Sequence, residues 1–143
     1  MNKVYIIILI YLLIHITSCS KNRNQHPIPS FPFDITINMD LPSYSNLSGV
    51  GGWAYLNTGN RLVIIYRKEL NNFVAFDRQS PEDPENICEE ALKPDTNNFL
   101  ELIDVCSDAK FSLYDGQAIS NSEFGLRQYQ TIWDGQNKLR VFN

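Results

Sequence analysis

Histidine is almost missing from this sequence. There are two, His15 and His26, and both precede residue 33. The stretch 33–143 has no imidazole, which excludes Ser-His-Asp and Cys-His catalysis and His-based zinc sites there. Cysteine is scarce too, with three, at positions 19, 88 and 106. Basic charge is in deficit, twelve Lys and Arg against sixteen Asp and Glu, a balance that does not suit a nucleic-acid partner. Gly49, Gly51 and Gly52 fall between expected strands and open no helix, so no phosphate-cradling loop is present. The run Val4–Ile14 is apolar throughout. As a helix it rises about 16 Å, short of a hydrocarbon core of about 30 Å.

What is there begins at the N-terminus. Lys3 ahead of that short apolar core reads as a signal peptide rather than an anchor. Ile16-Thr17-Ser18-Cys19 closes it, and this resembles the lipobox of bacterial lipoproteins, in which the cysteine is lipidated and becomes the mature N-terminus. Residues 1–18 are then the signal, and removing them takes Lys3 and no acid, shifting the formal net charge from −4 to −5. Residues 19–32 hold three prolines and no apolar periodicity, the composition of a flexible tether. In lipoproteins of Bacteroidetes-type bacteria, acids just after the cysteine would imply export to the cell surface. Here Ser20-Lys21-Asn22-Arg23 follow, so the resemblance implies a domain facing the periplasm.

The remaining residues, 33–143, have room for one domain. Phe33, Ile35 and Ile37 alternate with Asp34, Thr36 and Asn38, as in a half-buried strand. Pro42 to Gly52 reads as a loop. Strands are expected at 53–56, 62–66, 73–77, 110–114, 117–119, 126–133 and 138–142, with turns at Asn57–Asn60, Asp115-Gly116 and Asp134–Asn137. Glu89 to Leu92 alone hints at a helical turn. So many short strands imply an all-β antiparallel sandwich or barrel. Residues 82–108 gather nine acids against Lys93 alone. That run reads as a solvated face, or as a place for a hard cation or a carboxylate pair.

Three phrases carry a family resemblance. Gly51-Gly52-Trp53-Ala54-Tyr55-Leu56 leads in, a strand ends in Ala75-Phe76-Asp77-Arg78, and a later one runs Phe111-Ser112-Leu113-Tyr114-Asp115-Gly116. In this order over roughly 33–143 they resemble a Rieske iron–sulfur domain. Such a domain holds a two-iron two-sulfur cluster on a Cys-x-His loop and a Cys-x-x-His loop. The resemblance implies a Rieske-like β domain with an inserted two-loop lobe at about 78–110. The ligands do not carry over. Ser80-Pro81-Glu82 stands in the first loop and Asp104-Val105-Cys106-Ser107 in the second, so Ser80, Glu82, Asp104 and Ser107 occupy the four ligand positions. Asn121-Ser122-Glu123 replaces the usual Gly-Pro-Ala turn.

Members of this family from respiratory complexes clamp the two loops with an extra disulfide. The resemblance places Cys88 and Cys106 at those bridging positions, and an even pair in an exported domain normally pairs. It therefore implies no cofactor and no catalytic residue. The expected protein is a membrane-tethered, cluster-free lipoprotein of the cell envelope, binding a protein partner or a small ligand through its acidic lobe. Two alternatives stand beside it. One is an electron carrier that still assembles the two-iron two-sulfur cluster; the other is an envelope enzyme that uses carboxylates.

Overall fold

The computed structural model describes residues 25–143, and the expected signal 1–18 and Cys19 lie outside them. Among the described residues no helix is long and apolar enough to cross a membrane. The fold is all-β and antiparallel. β1 (Asp34–Asn38), β2 (Trp53–Asn57), β3 (Leu62–Glu69), β4 (Asn72–Asp77), β9 (Gln128–Trp133) and β10 (Lys138–Phe142) form a half-barrel sheet in the order β1-β10-β9-β4-β3-β2. Between β4 and β9 the chain leaves to build a second sheet from β5 (Lys93–Pro94), β6 (Glu101–Ile103), β7 (Lys110–Ser112) and β8 (Ala118–Ser120), in sequential order.

The middle of the large sheet is covered on both faces, which is why Leu62–Tyr66 reads as a nearly continuous apolar run. Val63 and Ile65 enter one core with Leu56, Ala75, Tyr129 and Val141. Ile64 and Tyr66 point the other way, into a core shared with Phe76, Leu102, Phe111 and Leu113. The second core is what docks the small sheet onto the large one. Ile64, Phe76 and Phe111 are fully buried there, each contributing roughly 1.5–3 kcal/mol of transfer free energy.

The lobe is larger than its sequence outline. β4 pairs with β9 through Ala75↔Tyr129 and Phe76↔Gln128, and the Asp77 amide bonds the Arg127 carbonyl at 2.8 Å. Everything from Arg78 to Arg127 is thus the insertion, and β7 and β8 belong to it rather than to the main sheet. Gly116 seals the contact between the two. Its φ is +75°, and a Cβ there would lie 2.5 Å from the Phe76 ring.

Two local expectations change. Pro42–Ser48 is a 3-10 helix, started by proline in its first turn and pinned by the fully buried Leu47. Its end rests on Arg67, 6% exposed, whose guanidinium donates to the Leu47, Ser48 and Leu70 carbonyls and faces the Phe73 and Trp133 rings. Glu89–Leu92 forms no helical turn, because Glu89 sits at φ 59°, in the left-handed region, where a right-handed turn cannot continue.

The described part of the expected tether, residues 25–32, lies against the domain instead of standing free. Ile28 is fully buried, and its carbonyl accepts from Arg127 at 2.6 Å. His26 Nδ1 accepts the Ile28 amide at 3.1 Å, so its Nε2 carries the hydrogen that bonds the Gly125 carbonyl at 2.9 Å. A histidine therefore does belong to the folded body, with both ring nitrogens spent on backbone.

Candidate functional site

The lobe offers the chemistry. Its first loop leaves β4 at Arg78 and returns at Leu92, and the two ends are tied twice. The Leu92 amide donates to the Arg78 carbonyl at 2.8 Å, and Arg78 Nε donates to the Leu92 carbonyl at 2.8 Å. Between them, turns start at Ser80 and Asp83, whose carbonyls accept the amides of Asp83 and Asn86 at 3.1 Å each. The Asp83 carboxylate then takes the amides of Ile87 and Cys88, both at 2.8 Å. Asn86 (φ 56°) and Glu89 (φ 59°) flank this point in the left-handed region, each costing on the order of 1 kcal/mol.

The second loop, between β6 and β7, is built around Asp104, which is 4% exposed. One carboxylate oxygen accepts the Cys106 amide at 2.9 Å, and the other accepts the Ser107 hydroxyl at 2.8 Å. Burial pushes the Asp104 carboxyl up. Hydrogen bonds from the Ser80 hydroxyl, the Cys106 amide and Ser107 outweigh it and hold the group below its ordinary value. Asp104 is thus a buried carboxylate kept ionised by its donors.

A disulfide joins Cys88 to Cys106 across 18 residues of chain, with the Cα atoms 6.5 Å apart. It links the two loops beside Asp104. Cys88, Asp104 and Cys106 bring their ligand-type atoms within 4.8 Å of one another.

Three of the four residues at the expected ligand positions come together. Ser80, 3% exposed, reaches across to Asp104, and Ser107 closes on the same carboxylate. Glu82 does not join them; its side chain is exposed, and only its amide returns to the Ser80 hydroxyl at 3.2 Å. Cys19 lies outside the described residues. The acidic run also divides. Asp95 is buried and paired with Lys110 at 2.8 Å, and Glu101 shares the same ammonium at 3.2 Å. Glu82, Glu85, Glu89, Glu90 and Asp108 remain exposed. The lobe's surface is therefore less acidic than its sequence.

One feature had no sequence signal. Where the lobe meets the main sheet, Arg61, Asp77, Arg78, Gln79, Asn86 and Glu89 line an open cleft of about 280 Å³. Asp77 anchors its floor, 1% exposed, accepting the Tyr129 hydroxyl at 2.7 Å and the Gln79 amide at 2.8 Å. Arg61 Nε lies 3.6 Å from the same carboxylate. Burial, and then the Asp77 bond, push the Tyr129 phenol above its ordinary range. Arg78 lies over the Tyr55 ring, 3.7 Å from its centroid, and burial lowers its guanidinium from the ordinary value. The Asp77 and Arg61 charges face each other, yet Arg61 Nε itself has no hydrogen-bond partner. No nucleophile stands among them with a base in reach.

Compared with known proteins, the chain matches no family model and no curated protein.

Proposed function

We propose that this protein is a membrane-tethered, cluster-free Rieske-like lipoprotein, a binding module of the cell envelope whose lobe meets a protein partner. The observation that carries it is the Cys88–Cys106 bond joining the two loops, beside the buried Asp104 that stands at one of the four ligand positions. Thiolate and imidazole donors are what a two-iron two-sulfur cluster needs. At these positions the chain supplies two hydroxyls and two carboxylates instead. The loops are tied by a covalent bond instead of by a cofactor.

The family likeness draws support from the order of parts. The strand ending Ala75–Arg78 feeds the first loop, and the second loop runs into Phe111–Gly116. A binding role draws support from the lobe's outer side chains. Ile87 is 78% exposed and Val105 43%, each next to a disulfide cysteine, and the exposed Glu85, Glu89, Glu90 and Asp108 lie within three residues of one or the other. Apolar groups rimmed by charge are the usual makeup of a protein-binding patch. The tether rests on Cys19 following a short apolar core.

The test uses the full chain in its native membranes with a photo-reactive residue at position 87. A discrete cross-linked protein is expected, along with release of the Cys19→Ala variant from the membrane. The same protein purified without oxygen should hold neither iron nor acid-labile sulfide. Stoichiometric iron and sulfide would move the protein to the electron carriers. A position 87 that never cross-links would remove the lobe as the binding face.

A further inference from the structure

The two cysteines are held in place by more than their own bond. Asp83 fixes the Cys88 amide at 2.8 Å, and Asp104 fixes the Cys106 amide at 2.9 Å. Loop one is closed at its base by the paired Arg78–Leu92 bonds, and loop two by the Asp104 amide on the Ala109 carbonyl at 2.9 Å. Opening the S–S bond would therefore leave two thiols facing each other, with the Asp104 carboxylate still alongside. All three ligand-type atoms lie within 4.8 Å of one another. Two cysteines with Cα atoms 6.5 Å apart can hold one ion. With Zn–S bonds of about 2.3 Å in a tetrahedral arrangement, the sulfurs need to separate to only about 3.8 Å.

We infer that the reduced protein binds one soft cation, zinc(II) being the type case, through the Cys88 and Cys106 thiolates and the Asp104 carboxylate. The disulfide is the closed form of that site. Reduction needs an external two-electron reductant, a dithiol being the thiol-exchange case. One of its thiolates attacks the sulfur of Cys106, which is the exposed member of the pair, and Cys88 leaves as a thiolate. The second thiol of the reductant resolves the mixed disulfide. Two electrons have then passed to the protein, and the reductant has become a disulfide. Zinc binding displaces one proton from each cysteine thiol. Thiolate sulfur is what selects a soft ion here, since the exposed Glu85, Glu89 and Glu90 nearby would serve a hard one. Their charge still raises the local concentration of any cation. This inference does not depend on the proposed function, because a cluster-free binding module could lack such a site.

Cobalt(II) and zinc(II) test it on the full chain, reduced with a phosphine or left oxidised. Reduced protein should take up one cobalt(II) per chain with thiolate-to-metal charge-transfer absorption, which zinc(II) displaces. The oxidised form should bind at least about 100-fold more weakly and show no such absorption. Alkylating the reduced thiols of the folded protein should abolish the signal. Asp104→Asn should weaken binding about tenfold or more while the absorption persists. Equal binding by oxidised and reduced protein would assign the metal to surface carboxylates and overturn the inference. So would a reduced protein that gives no signal, or one whose strands melt on reduction, because the loosened loops can close on an ion only while the sheets that carry them persist.

Discussion

Tyr129 on β9 donates its hydroxyl hydrogen to the buried carboxylate of Asp77 on β4 at 2.7 Å, where the chain leaves the main sheet to make the lobe. The bond does two jobs. It stitches the strands that bracket the insertion, and it meets part of the hydrogen-bonding need of an acid that is 1% exposed. Replacing Tyr129 by Phe keeps the ring in its core and removes one donor. The expected loss is about 1–3 kcal/mol, the cost of leaving a buried acceptor short of a partner. Urea unfolding should show a lower midpoint with an unchanged slope. No change in midpoint would mean that Arg61 and the Gln79 amide suffice.

The Cys88–Cys106 bond closes a loop of 18 residues, for which the chain-entropy account gives about 3 kcal/mol. Reduction, or Cys88→Ser, should lower the melting temperature by several degrees, and amide exchange should rise first across 79–108. The strands should persist, since Ile64, Phe76 and Phe111 pack without help from the bond. Thiol titration of the unfolded, unreduced protein should find neither cysteine free. Two free thiols in protein taken directly from its source would contradict the bond.

Acid should loosen the lobe through Asp95. The hydrogen bond from Lys110, followed by that from the Asn97 amide, holds this carboxyl below its ordinary value. A depressed carboxylate contributes stability that is complete above its unfolded value, about 3.9, and lost as pH falls through the folded one. Asp95→Asn should therefore flatten the stability profile below about pH 4. Lys110 has the opposite sign. Its bonds to Asp95 and then Glu101 raise it, so its contribution is present at neutral pH and fades only as pH climbs through its raised value. Unfolding midpoints of both proteins across the acid range provide the comparison. Identical acid limbs would show that the pair contributes nothing measurable.

Gly116→Ala tests how tightly the lobe sits on the sheet. The new methyl would meet the fully buried Phe76 ring at 2.5 Å, on a backbone at φ +75°. Neither problem has a cheap escape. A loss of about 1–3 kcal/mol is expected, from backbone strain together with overpacking. Gly135→Ala, at φ +83° with nothing near its Cβ position, separates the two causes, since it carries strain alone.

Much of the fold was legible in local pattern. Alternation at Ile35–Ile37 and the apolar run Val63–Tyr66 mark strands because side chains on a pleated backbone repeat every two residues, whatever the rest of the chain does. Two cysteines beyond residue 33, read with a family resemblance, pointed to the bond that the structure contains. The acidic run was legible as composition. Its division into buried partners of Lys110 and exposed groups was not, since Asp95 and Lys110 meet through strand pairing.

Local pattern alone dictated the all-β class and the turns at Asn57–Asn60, Asp115-Gly116 and Asp134–Asn137. These depend on neighbours in the chain. The tertiary structure decided that β7 and β8 join the lobe, that Ile28 and His26 pack onto the domain, and that Ser80, Asp104 and Ser107 share one carboxylate while Glu82 faces solvent. It also decided that Tyr129 finds Asp77 across 52 residues. Apart from the Asp104–Ser107 bond, which spans three residues, these contacts join groups far apart in sequence, and no local periodicity records them. They follow only once the insertion has folded back and water has been driven from between its sheet and the main one.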